Sequence, residues 1–285
     1  MKFFAISLCS VFLNFSFVSG QDFISDAAAI RFTYSNTPER TVEGTTTEIG
    51  LRQWEIMSPI FFHKGESWSF GVGFRYESTN LDFSNTSAFD EDHLHSIDLP
   101  LFFSKTQSET LDWMFLFNPA LAGDYEHVTG DALNYLAIGG ARWKRSETFE
   151  WFFGAVYTTG FDDDLFLPAI GFKWAPSERS DLFFAGPFIR YRYSLNDSFD
   201  VILGGSMSGN RWNTEASYGE RDLRLRSYRL SLTGQWDLAE KHVIFASLGA
   251  ELGREVEIKD ASRATLFERD VEEAPSFELG YRFRF

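Results

Sequence analysis

The side chains with the most scope for chemistry are arginines and carboxylates that alternate with aromatic residues. Arg75, Arg142, Arg190, Arg192, Arg282 and Arg284 share one parity, with Glu77, Asp98, Asp112, Glu150 and Glu278 on the same face of their segments. In extended chain a period of two puts charges on one side and rings on the other. Such a face has two uses. As the lining of a pore, Arg75, Arg142, Glu150, Arg190, Arg192, Glu278, Arg282 and Arg284 would set which ions pass. In a narrow, filled lumen the same groups would pair and satisfy one another. The sequence leaves both open.

Other chemistry is thinly supplied. His93 and His95, with Ser96 beside them, are the clustered histidines, and a lipid-acting hydrolase would need a nucleophile, a base and an orienting group in reach. No G-x-S-x-G elbow occurs. The run Gly204-Gly205-Ser206-Met207-Ser208-Gly209 falls in a strand, where small residues allow close approach. The acidic runs Asp90-Glu91-Asp92-His93 and Asp162-Asp163-Asp164 lack the spacing of a defined cation loop, so no metal site and no cofactor is expected. The single cysteine, Cys9, precedes the expected cleavage point, which removes thiol chemistry from the mature chain. A net charge of −15 argues against nucleic acid as a partner.

The elements that must position these charges follow from the same periodicity. Trp68, Phe70, Val72, Phe74 and Tyr76 alternate with small or polar residues, as do Phe149, Trp151, Phe153, Ala155 and Tyr157, and Phe166, Ile170, Phe172 and Trp174. Each run is roughly ten residues long, the length a tilted strand needs to cross a bilayer. Aromatic residues make up 18% of the chain, 32 of them Phe, yet mean hydropathy is −0.20. That combination suits strands with one face in lipid and one in a polar lumen. Lys2 followed by uncharged Phe3 to Val18, then Val18-Ser19-Gly20, reads as a signal peptide over 1–20, leaving 21–285 as one barrel domain. The segments predict an all-β, transmembrane, antiparallel up-and-down β-barrel of about twelve strands, with fourteen as the alternative. A direct count gives thirteen. Both ends of such a barrel lie on one side, which requires an even number, and Ala185-Gly186-Pro187 is the suspected hidden turn.

Phe277, Leu279, Tyr281, Phe283 and Phe285 form an unbroken apolar face on the last segment, opposite Glu278, Gly280, Arg282 and Arg284. An alternating aromatic strand of this kind is the form barrel-assembly machinery recognises, by an edge-pairing logic. It should close the barrel against the segment near Ala28 to Tyr34.

The stretch Leu167 to Glu178, together with Ala185-Gly186-Pro187, Gly204-Gly205 and Leu252-Gly253-Arg254-Glu255, resembles an uncharacterised family of outer-membrane β-barrels, a domain of unknown function. The resemblance runs from about Ile138 to Phe285 and implies location in a Gram-negative outer membrane, among its lipids and lipopolysaccharide. It brings no activity or site residue with it. The leading expectation is a passive channel for small hydrophilic solutes. A structural or surface-interaction barrel without an open pore comes second, and a membrane-surface enzyme third.

Overall fold

A computed structural model describes residues 29–84, 89, 91–126, 128–159, 164–216 and 219–285. The expected signal peptide, Asp90, and Asp162 and Asp163 lie outside the described residues.

Sixteen extended segments follow in order: β1 (Ala29–Thr41), β2 (Glu48–Lys64), β3 (Trp68–Phe83), β4 (His93–Asp98), β5 (Leu101–Ser108), β6 (Leu111–Gly123), β7 (Leu133–Ser146), β8 (Phe149–Thr158), β9 (Leu165–Ser177), β10 (Ser180–Ala185), β11 (Phe188–Asn196), β12 (Phe199–Ala216), β13 (Gly219–Ala239), β14 (His242–Asp260), β15 (Thr265–Val271) and β16 (Ala274–Arg284). Two pairs of segments are single strands with a break. β4 and β5 lie between the same neighbours, β3 and β6, and are parted at Leu99-Pro100. β15 and β16 both pair with β14 and are parted at Glu272-Glu273. The result is a closed antiparallel barrel of fourteen strands. Closure runs from Ala29↔Arg284 to Asn36↔Phe277, as the last segment's pattern predicts. The even count arises where expected, because Gly186, at φ +58, turns the chain between β10 and β11.

The residues form this sheet because each strand keeps its period of two. On β6, Trp113 and Phe115 face outward, while Leu116 and Asn118 are buried inside. Outward aromatics gather in two belts. Trp68, Trp113, Trp143, Trp174 and Trp236 are exposed near the end that holds residues 29 and 285, here the near end. Trp54, Tyr135, Tyr157 and Phe166 are exposed toward the far end. The exterior is therefore apolar, and part of the interior is lined with charged and polar groups, unlike a water-soluble domain.

The wall is not of even height. β10 and β11 are 6 and 9 residues long, whereas β12, β13 and β14 run to 18, 21 and 19. Above Ile170 and Gly205 the short hairpin stops, so β9 and β12 each continue without a ladder partner on that side. There β12 leans across the barrel and meets β6, with Asn213 opposite Gly123 in a parallel bridge. The upper strands thus close a second time on a smaller circumference, leaving β7, β8 and β9 outside it.

Candidate functional site

The barrel interior has three compartments, each built from inward-facing residues. The first is a charged lumen of about 560 Å³. Arg75 lies at its heart, 3% exposed, with Nε donating to Glu55 at 2.6 Å and Nη1 to Asp98 at 2.9 Å, and with Glu77 as a third acceptor. Asn118 donates to the other Asp98 oxygen at 2.8 Å. Lower in the lumen Asp181, 2% exposed, accepts from both Arg190 (3.1 Å) and Arg192 (2.6 Å). Glu278 receives Arg31 at 3.5 Å and Arg229 at 3.7 Å, and Arg284 reaches Asp237 at 3.4 Å. Arg282 lines the same cavity. Arg142 pairs with Asp112 and lies 3.9 Å from Glu150 in the β6–β8 wall.

Of the eight candidate residues, six line this cavity, whereas Arg142 and Glu150 are paired in the wall apart from it. Sequence reasoning missed Asp181, Glu55, Arg31, Arg229 and Glu251. Their signal was the same inward parity, obscured because β1, β2 and β10 alternate less regularly. The alternation on β14 is reset by a bulge. Between the pairs Arg226↔Glu255 and Tyr228↔Leu252, Ser227 alone opposes Gly253 and Arg254. Gly253 takes φ +54 to make the bulge, so Glu251 faces inward below it and Val256 and Ile258 face inward above it.

The second compartment begins at that bulge. Val42, Ile49, Leu81, Phe89, Leu94, Trp212, Leu223, Val256 and Ile258 pack into one apolar cluster that fills the smaller upper ring. Arg254 ties it down, donating to the Glu272 and Ile49 carbonyls at 3.1 and 3.3 Å. This plug closes the far end. Trp212 Nε1 within it has no hydrogen-bond partner among the described residues, a flaw worth about 1–3 kcal/mol.

The third compartment is an apolar pocket of about 830 Å³ between the inner faces of β6–β9 and the leaning part of β12. Met114, Leu116, Ile138, Phe152, Val156 and Ala169 line it on one side and Met207 on the other. β12 is thus a partition: Ser206 and Ser208 face the charged lumen and Met207 the apolar pocket. The small residues Gly204 to Gly209 serve this close passage rather than a nucleophile.

The histidine cluster does not assemble. His93 and His95 share one face, but Ser96 points to the opposite one and donates to Asp98 at 3.0 Å. His95 contacts the Tyr76 hydroxyl at 2.9 Å, and His93 the Asn80 side chain at 2.6 Å. Beyond β6, burial near Asp98 and Tyr76 holds the Tyr125 phenol well above its ordinary range. Among the described residues no group of His, Cys, Asp and Glu has the arrangement of a metal site.

Fold and interior define a fourteen-stranded up-and-down β-barrel with an apolar exterior, a charged lumen and a plugged far end. The chain belongs to the family described as a domain of unknown function (DUF6268), which matches residues 62–285. No curated protein matches. Solved structures that resemble it include the KdgM porin in complex with disordered oligogalacturonate, at 5% identity and TM-score 0.40, covering 90% of this chain and 99% of that one. The P. putida toluene transporter TodX matches at 9% identity and TM-score 0.41 over 90% and 89%. A Pseudomonas aeruginosa FadL homologue matches at 11% and 0.43 over 92% of each chain. Scores this low leave the barrel to be read from its own strand pairing.

Proposed function

We propose that this protein is an outer-membrane transport barrel, with the near end periplasmic and the charged lumen as the compartment that handles small hydrophilic solutes. The two aromatic belts and the apolar wall between them support the membrane setting, since amphipathic rings favour bilayer interfaces. One observation carries the transport reading: a charged cavity of about 560 Å³ remains along the axis although its fixed charges are almost all paired. A lumen built only for stability would close on itself, because buried ion pairs contribute little net energy.

The plug favours a second reading, a structural barrel without an open pore. Planar-bilayer conductance of the refolded protein separates the two. The wild-type chain is expected to give small, infrequent steps, and Trp212→Ala with Leu223→Ala is expected to enlarge them by shaving the plug. If neither folded protein carries current, the transport reading falls and the structural one stands.

A further inference from the structure

We propose that the third compartment is a lateral binding site for a single-chain amphiphile with a carboxylate head, admitted from the membrane through the gap above the β10–β11 hairpin. The inference rests on the membrane setting argued above, not on conduction through the lumen.

The gap lies at membrane depth. Gly186 N–H donates to the Ile170 carbonyl at 3.3 Å, which fixes the hairpin tip level with Ile170. The far-end belt residue of the same strand, Phe166, is four positions further on. At a rise of about 3.3 Å per residue, the tip lies roughly 13 Å along the strand below that belt. Over this distance β9 has no ladder partner on its β10 side. Its sequence fits an edge. Antiparallel strands direct alternate residues' backbone groups to the same side, so Pro168 shares the open side with Ile170 and has no N–H to leave unpaired. Unpaired edge donors in hydrocarbon would each cost several kcal/mol.

The pocket behind the gap matches a hydrocarbon chain. Its volume lies within the range of small-molecule sites, and apart from Arg226, Ser227 and Glu255 its walls are Met, Leu, Ile, Phe, Val, Ala, Gly, Pro and Tyr. A packed interior tolerates no void of that size, because its lining forfeits dispersion contacts. Open to a bilayer, the cheapest filling is an acyl chain already in hydrocarbon.

The inner end supplies the head-group chemistry. Arg226, Ser227 and Glu255 line both the apolar pocket and the charged lumen, so the two compartments meet there. Arg226 pairs with Glu255 at this boundary. A guanidinium that borders an apolar pocket suits a carboxylate oxygen. The head would rest at the lumen boundary with its tail in the wall.

The test is equilibrium binding of radiolabelled laurate and of its methyl ester to the full barrel in lipid nanodiscs. Wild-type protein should bind laurate saturably and prefer it to the ester. Ala169→Phe, which fills the pocket from β9, should weaken laurate binding at least tenfold; if that variant does not fold, Val156→Phe fills the same space from β8. Arg226→Gln should abolish the preference for acid over ester. The proposal is overturned by non-saturable binding, by wild-type affinity in a folded pocket-filling variant, or by a preference that survives Arg226→Gln. Binding lost while the plug-shaved barrel conducts would sink this site and spare the transport reading; binding retained with no conductance would do the reverse.

Discussion

Arg75 shows how much one inward side chain is asked to do. Three carboxylates from β2, β3 and β4 converge on it, and all four groups are almost fully buried. Arg75→Ala would strand Glu55, Glu77 and Asp98 together away from water. The expected loss is about 3–5 kcal/mol, read as a lowered urea midpoint for the refolded barrel. Arg52→Ala is the control: the Arg52–Asp82 pair is half-exposed, and its loss should cost less than about 1 kcal/mol. An equal effect of the two would mean that burial does not set the strength of these pairs. Arg75 and Asp98 were legible from parity alone. That Glu55 joins them was not, because its partners come from strands that only register brings side by side. For the same reason Asp181, shared by Arg190 and Arg192, gave no local sign of its importance.

At the level of the strands, close approach decides what the wall tolerates. Gly140 and Gly154 face each other across β7 and β8, and a Cβ on Gly154 would meet the Gly139 carbonyl oxygen at 2.4 Å. Backbone cannot swing aside as a side chain can. Gly154→Ala should therefore destabilise by about 1–3 kcal/mol in the same urea assay. Gly130→Ala, with nothing within 4 Å of the added carbon, should shift it by less than about 0.5 kcal/mol. Strand positions were mostly readable, since a period of two survives in any register. The outer half of the last strand, Thr265–Val271, was not assigned from sequence. Residues Leu266, Glu268 and Asp270 carry little alternation, and the segment is held by β14 rather than by its own pattern. The thirteen-segment count erred at a single point, the turn at Gly186-Pro187, because a two-residue turn inside a continuous aromatic run leaves little mark on composition.

For the molecule as a whole, the lumen charges matter only if a path runs past them. In the plug-shaved barrel, Arg190→Glu or Arg282→Glu should move ion preference toward cations, measured as reversal potential under a salt gradient. Selectivity that stays put would show that current bypasses these side chains. The amino-acid sequence by itself determined the class of fold, the inward and outward faces, and the closing strand, because each follows from local alternation of apolar and polar residues. Only the tertiary structure decided that the far end is filled and that the wall is notched. Val42, Leu81, Trp212, Leu223 and Val256 are ordinary strand residues until β12 leans onto β6 and brings them together. The two cavities and the Arg226 boundary between them arise from that long-range crossing, and no period along the chain encodes it.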